Sequence, residues 1–368
     1  MRRRLSGLIL FALIATLSAA AGTLPRQIAD DAFWRMISDF SEKGGVFRFQ
    51  LMSNEREFPS VIPALKKTAS AGGVYLGVGT EQNFTYIAAI HPELAFVFDI
   101  RRENMIEHLI YKAIFEMSAN RTEFISRLFS RKAPPGTNEK STAAELFQAY
   151  VRSEPDPQMF RQNLQAIRNR LIREHRFPLT PDDQMIIDSI YRLFFETGPG
   201  INYTFRGFGG FRPGTYAGLM TATDENKNAW SYLATEENFQ TVREMERKNL
   251  IVPLVGDFAG TKAIRTVGKY LKDHDAVVSV FYTSNVEQYL FEQADDWRHF
   301  YSNVATLPVN PSSTFVRSSH FGYGAAAQRQ RQNPSIYVML RSPLLDVVRA
   351  FNGGRIQNYD QLIRLSKD

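Results

Sequence analysis

Gly77 and Gly79, Asp99, and Asp257 are the residues in this sequence whose types and spacing best suggest a ligand site. The two glycines close an apolar run, residues 73–79 (GVYLGVG). Glycines straight after a buried strand let the backbone turn tightly beside a ligand, and the start of the next helix favours bound polar groups. Asp99 ends a second apolar run, residues 94–99 (LAFVFD), twenty positions after Gly79. An acid placed there binds ribose hydroxyls in nucleotide-type sites. Asp257 ends a third run, residues 250–257 (LIVPLVGD). Each residue also has a plainer reading. The glycines could serve close strand–helix packing, Asp99 could pair with Arg101 or Arg102 or cap the following helix, and Asp257 could be a turn residue.

Charge gathers directly after Asp99, in Arg101, Arg102, Glu103 and the amide Asn104. Arg101 or Arg102 could clamp a carboxylate or phosphate bidentately; the alternative is a solvated ion-pair cluster. His108 and Lys112 lie one helical turn apart and read as a surface pair. His320, in residues 318–324 (SSHFGYG), is the general-base candidate, with a structural histidine as the competing reading. Six histidines without H-E-x-x-H spacing argue against a zinc enzyme, and no metal is expected. No G-x-S-x-G elbow and no G-x-x-x-x-G-K-[ST] loop occurs, which leaves hydrolase and nucleotide triphosphatase readings without support.

The elements that must position these residues follow an α/β rhythm. Apolar runs alternate with helix-capable segments at residues 82–90, 104–129, 262–272 and 286–301, and further strand candidates lie at 275–285, 314–318 and 335–340. That pattern implies a Rossmann-like, mostly parallel sheet with helices on both faces. Residues 22–69 read as an N-terminal helical segment containing a short alternating stretch, 46–52. Residues 70–130 and 246–368 carry the two parts of the Rossmann-like domain, and 131–245 form a largely helical insertion between its second and third strands. Within the insertion, Thr180 and Pro181 have the types of an N-cap and first helical residue. Residues 198–220, rich in glycine and aromatics, read as a folded excursion or lid.

The first 21 residues have the pattern of a secretory signal: Arg2, Arg3 and Arg4, an apolar stretch at 8–17, then small residues to Ala21. The expected address is periplasmic or secreted, with an N-terminal membrane anchor as the alternative and no stable span once the signal is removed. The chain has no cysteine, which excludes disulfides and thiol chemistry. Those three arginines supply half of the formal charge of +6, and the remaining basic residues are scattered among acids. Nucleic acid, which needs a concentrated basic stripe, is therefore not an expected partner. A small molecule is.

Residues 74–84 (VYLGVGTEQNF), 94–101 (LAFVFDIR), 252–260 (VPLVGDFAG) and 275–291 together resemble the class I S-adenosylmethionine-dependent methyltransferases. The resemblance implies S-adenosylmethionine as cofactor, with Gly77, Gly79, Asp99 and Asp257 touching it, and Asp99 on its ribose. It implies that Tyr282, Ser284 and Asn285 face the sulfonium end, in the pocket that would also hold substrate. Two positions depart from that family: Tyr75 replaces the usual acid before the first glycine, and Glu81 stands at the third glycine position. The chain also resembles uncharacterised bacterial proteins sharing GVYLGVG, NFTYIA and DIRREN. The functional expectation is an exported methyltransferase-like protein, with a non-catalytic ligand-binding or interaction protein of the same fold as the alternative.

Overall fold

A computed structural model describes residues 23–48, 50–69, 72–203, 214–320, 331 and 337–366 of the 368-residue chain. The expected export signal, and residues 204–213 of the glycine- and aromatic-rich excursion, lie outside the described residues.

The apolar runs form β1 (Val74–Val78), β2 (Leu94–Asp99), β3 (Ile251–Val255), β4 (Val278–Ser284) and β5 (Thr314–Ser319). All five are parallel, and β6 (Val338–Pro343) lies antiparallel beside β5, giving the order β3-β2-β1-β4-β5-β6. β1, β2 and β3 are buried at every position, as strands covered on both faces must be. This is the expected Rossmann-like α/β arrangement. Register brings Val78 level with Phe98 and Asp99 level with Val255, so the carboxyl ends of β1, β2 and β3 meet at one edge. The strand order reverses between β1 and β4, which makes a crevice at that edge.

Helix α1 (Asp30–Phe40) packs on β3, and α2 (Ile62–Thr68) on α3 (Gln82–Ile90). α4 (Arg102–Met117) covers β2 and β3. The sequence pattern predicts one helix over 104–129, but the chain breaks after Met117. Asn120 accepts a hydrogen bond from the Glu123 backbone and starts α5 (Arg121–Phe129). In the insertion, α6 (Ala143–Val151), α7 (Pro157–Arg168) and α8 (Pro181–Thr197) are helical as expected. Thr180 caps α8 through a reciprocal bond with Asp183, and Pro181 is its first residue. Asp183 also takes two hydrogen bonds from Arg102, at 2.6 and 2.8 Å, tying the insertion to α4. The short α9 (Tyr216–Met220) and then α10 (Glu236–Arg247) return the chain to the sheet, α10 packing on α3 and α4.

α11 (Ala263–Asp273), α12 (Val286–Glu292) and α13 (Asp296–Val304) follow, α13 packing on α11. The single helix expected over 286–301 is thus two. The alternation at 46–52 gives no strand among the described residues. The segment leading into it meets the open edge of the sheet, where Gly45 N–H donates to Ile100 O at 2.8 Å. No helix among the described residues is long and apolar enough to cross a membrane.

Candidate functional site

A cavity of about 320 Å³ lies at the carboxyl edge of the sheet, at the crevice between β1 and β4. Of the residues singled out in the sequence, Gly79, Asp99, Arg101, Asp257, Tyr282, Ser284 and Asn285 all line it. Gly77 and His320 do not.

The two glycines have different work. Gly79 adopts φ +79°, a conformation that side chains disfavour, and a Cβ there would meet nothing within 4 Å. It is an open floor to the cavity. A Cβ on Gly77 would overlap Asn83 Oδ1 and come within 2.6 Å of Tyr75 Oη. Gly77 therefore serves close packing, not ligand contact. The same neighbours explain Tyr75 at the usual acidic position. Its hydroxyl donates to Asn83 Oδ1 at 2.8 Å, while Asn83 Nδ2 donates to Val78 O and Thr80 O at 3.0 and 2.7 Å. A buried tyrosine and amide hold the turn.

Glu81, at the third glycine position, is fully buried and accepts Ser53 N–H at 3.1 Å. Desolvation pushes its carboxyl up to about 7. It anchors residues 50–54, four of which (Gln50, Met52, Ser53, Asn54) form one wall of the cavity. This wall is not evident from motif spacing, because it comes from a distant, irregular segment. Beside Glu81, Gln82 lines the cavity at 1% exposure with neither amide atom hydrogen-bonded; the nearby Tyr86 hydroxyl lacks bonding geometry.

Asp99 is paired, as its plainer reading allowed. Its Oδ1 accepts Arg101 N and Nε at 2.8 and 3.0 Å, and its Oδ2 accepts Arg101 Nη2 at 2.7 Å. Arg101 Nη1 donates to Gln50 O at 3.1 Å. A carboxylate has about four acceptor sites, so about one, on Oδ2, remains for a ligand hydroxyl. Arg101 is committed to Asp99 and the Gln50 wall, which leaves the anion-clamp role without a free edge. Asp257 Oδ1 accepts Ala259 N–H at 2.9 Å, leaving Oδ2 for other partners. Asp296, at the start of α13, also lines the cavity. The lining thus holds three carboxylates and one guanidinium, already neutralised by one of them.

His320 packs tilted against Tyr337, ring centroids 3.7 Å apart, and is not among the cavity-lining residues; burial lowers its basicity. His108 and Lys112 are not a surface pair: both are buried, because α4 is covered by the insertion. His108 Nε2 lies 2.8 Å from Gly79 O, and desolvation holds the ring down to about 4. Lys112 pairs with Glu116 at 2.8 Å. Among the described residues no group of three or more acids and histidines is placed to hold a metal.

Fold and cavity together define a Rossmann-like α/β protein with a cavity in the crevice at its topological switch point. The chain belongs to the DUF7790 family, described as a domain of unknown function, which matches residues 50–342. No curated protein matches it.

Proposed function

We propose that the cavity binds S-adenosylmethionine and that the protein is a methyltransferase-like enzyme acting on a small molecule. The observation that carries this reading is the convergence of Gly79, Asp99, Asp257, Tyr282, Ser284 and Asn285 on one cavity whose lining is acidic. Gly79 leaves room for a ligand to approach the backbone, and Gln82 offers a buried, unpaired amide. Asp99 Oδ2 would hold one ribose hydroxyl, not the pair, since Arg101 takes the rest. Asp257 Oδ2 would accept from an adenine amino group. When bound, S-adenosylmethionine supplies a methyl group activated by the adjoining sulfonium charge. Asp257 and Asp296 favour a cation there and disfavour phosphates, which speaks against a dinucleotide.

Calorimetry on the mature chain tests this. S-adenosylmethionine should bind in the micromolar range, roughly fivefold tighter than the uncharged S-adenosylhomocysteine, for a charge term of about 1 kcal/mol. NAD should not bind. Silence with both adenosyl ligands ends the reading and leaves a binding or interaction protein of the same fold.

A further inference from the structure

Glu55 lies behind the cavity wall and belongs to no recognised motif. It is 2% exposed and does not line the cavity. Its carboxylate accepts the hydroxyls of two residues that do line it: Tyr282 Oη at 2.6 Å on Oε2, and Ser284 Oγ on Oε1. No cation is paired with it among the described residues. Among the described residues, the charged and titratable groups facing it are Tyr282 from β4, Tyr75 from β1, Tyr86 from α3, Glu81 before α3 and Tyr337 before β6. None of them carries positive charge. Desolvation raises its carboxyl above the ordinary range, and the Ser284, Tyr282 and Ser318 hydroxyls oppose that shift.

Ser284 is placed unusually. It ends β4 at φ +51°, where a non-glycine residue is strained. The other non-glycine residues with positive φ lie in turns or after helices; Ser284 alone among them lies in a strand. The β4–β5 register also slips between Tyr282 and Ser284, so a bulge re-aims the strand end. A strained strand end thus sets a cavity-lining serine with its hydroxyl on a buried carboxylate. A merely structural serine has no need of that arrangement.

We propose that Ser284 and Glu55 form a proton-accepting dyad for the acceptor substrate of this cavity. This rests on the reading of the cavity as a methyl-transfer site. An acceptor O–H or N–H held by Ser284 Oγ gives its proton to that oxygen as the acceptor forms its bond to carbon. The Ser284 hydroxyl proton passes to Glu55, which becomes a neutral acid, and the electrons of the broken carbon–sulfur bond stay on sulfur. Glu55 acts through Ser284, touching no substrate itself. The substrate class that follows is an alcohol, phenol or amide-type nitrogen that must lose a proton, as opposed to a carboxylate or thiolate that need not.

Phenylmethylsulfonyl fluoride tests the dyad without any adenosyl ligand, so failure here is distinct from failure to bind one. In that reaction the Ser284 oxygen–sulfur bond forms, fluoride leaves with its electron pair, and the hydroxyl proton goes to Glu55. Peptide mass spectrometry of the treated full chain should find the adduct on Ser284, at a rate that rises with pH through one ionisation and then levels. Glu55→Gln should slow labelling at least tenfold and abolish that pH profile. Tyr282→Phe, which leaves the carboxylate in place but removes one donor to it, should move the midpoint upward. No adduct on Ser284, or an equal rate and profile in Glu55→Gln, overturns the proposal. Should Glu55→Gln fail to fold, an unmoved midpoint in Tyr282→Phe does the same.

Discussion

Asp99→Ala separates the two jobs that the structure gives this residue. Asp99 and Arg101 are 7% and 3% exposed, and three hydrogen bonds join them. Removing the carboxylate leaves Arg101 Nε and Nη2 buried without an acceptor, while Nη1 keeps Gln50 O. Breaking a buried pair from one side costs about 3–5 kcal/mol. For a chain of 368 residues, with about 2 cal/mol/K of unfolding entropy per residue, that lowers Tm by roughly 4–7 °C. The ligand term is separate. One acceptor site of Asp99 remains for a ribose hydroxyl, and losing a hydrogen bond to a charged group costs about 1.5–3 kcal/mol, roughly ten- to a hundredfold in affinity. Scanning calorimetry and titration with S-adenosylmethionine on the same variant measure both. A fall in Tm with unchanged affinity would show Asp99 to be purely structural and refute the ribose contact. An unchanged Tm would refute the buried-pair argument itself.

The glycine pair gives an opposed expectation. Gly79→Ala should cost about 1–2 kcal/mol through its φ of +79° and weaken ligand binding, because its Cβ enters the cavity. Gly77→Ala should cost about 1–3 kcal/mol through overlap with Asn83 and Tyr75. Denaturant titration alongside binding distinguishes them, and equal binding losses would contradict the separation. Glu81 makes a pH-dependent prediction. Its folded carboxyl titrates near 7 against 4.5 when unfolded, so its contribution is full below about 4.5 and lost as pH rises through about 7. Relative to Glu81→Gln, the wild type should lose on the order of 3 kcal/mol over that window. Tm measured against pH for both proteins checks the sign, and a difference that grows with pH would reverse it.

Much of the fold was legible in sequence because its signals are local. Uncharged runs of strand length bounded by glycine or an acid can be buried on both faces, and β1 to β4 formed at the runs that predict them. Helix breaks were less legible. The stops after Met117 and Glu292 depend on which residues find partners, and Asn120 as a cap is visible only once α5 has somewhere to pack. For the site, spacing placed Gly79, Asp99 and Asp257 at strand ends, and parallel register then forces such ends to one edge.

What tertiary structure alone decided is the partnering of polar groups. Sequence presents Asp99, Arg101 and Arg102 as equivalent neighbours. The fold pairs Asp99 with Arg101 and sends Arg102 across to Asp183 on α8, because residues 101 and 102 point to different surroundings at the start of α4. Glu55 and Glu81 carry no local signal either. Their meaning arises because residues 50–55 come to the sheet edge, where Glu55 meets Ser284 and Glu81 meets Ser53. Burial and hydrogen-bond partners depend on segments more than two hundred residues apart in the case of Glu55 and Ser284. Periodicity and motif spacing act over a few turns or one strand–helix unit, so they can name a strand end but not the group that will face it.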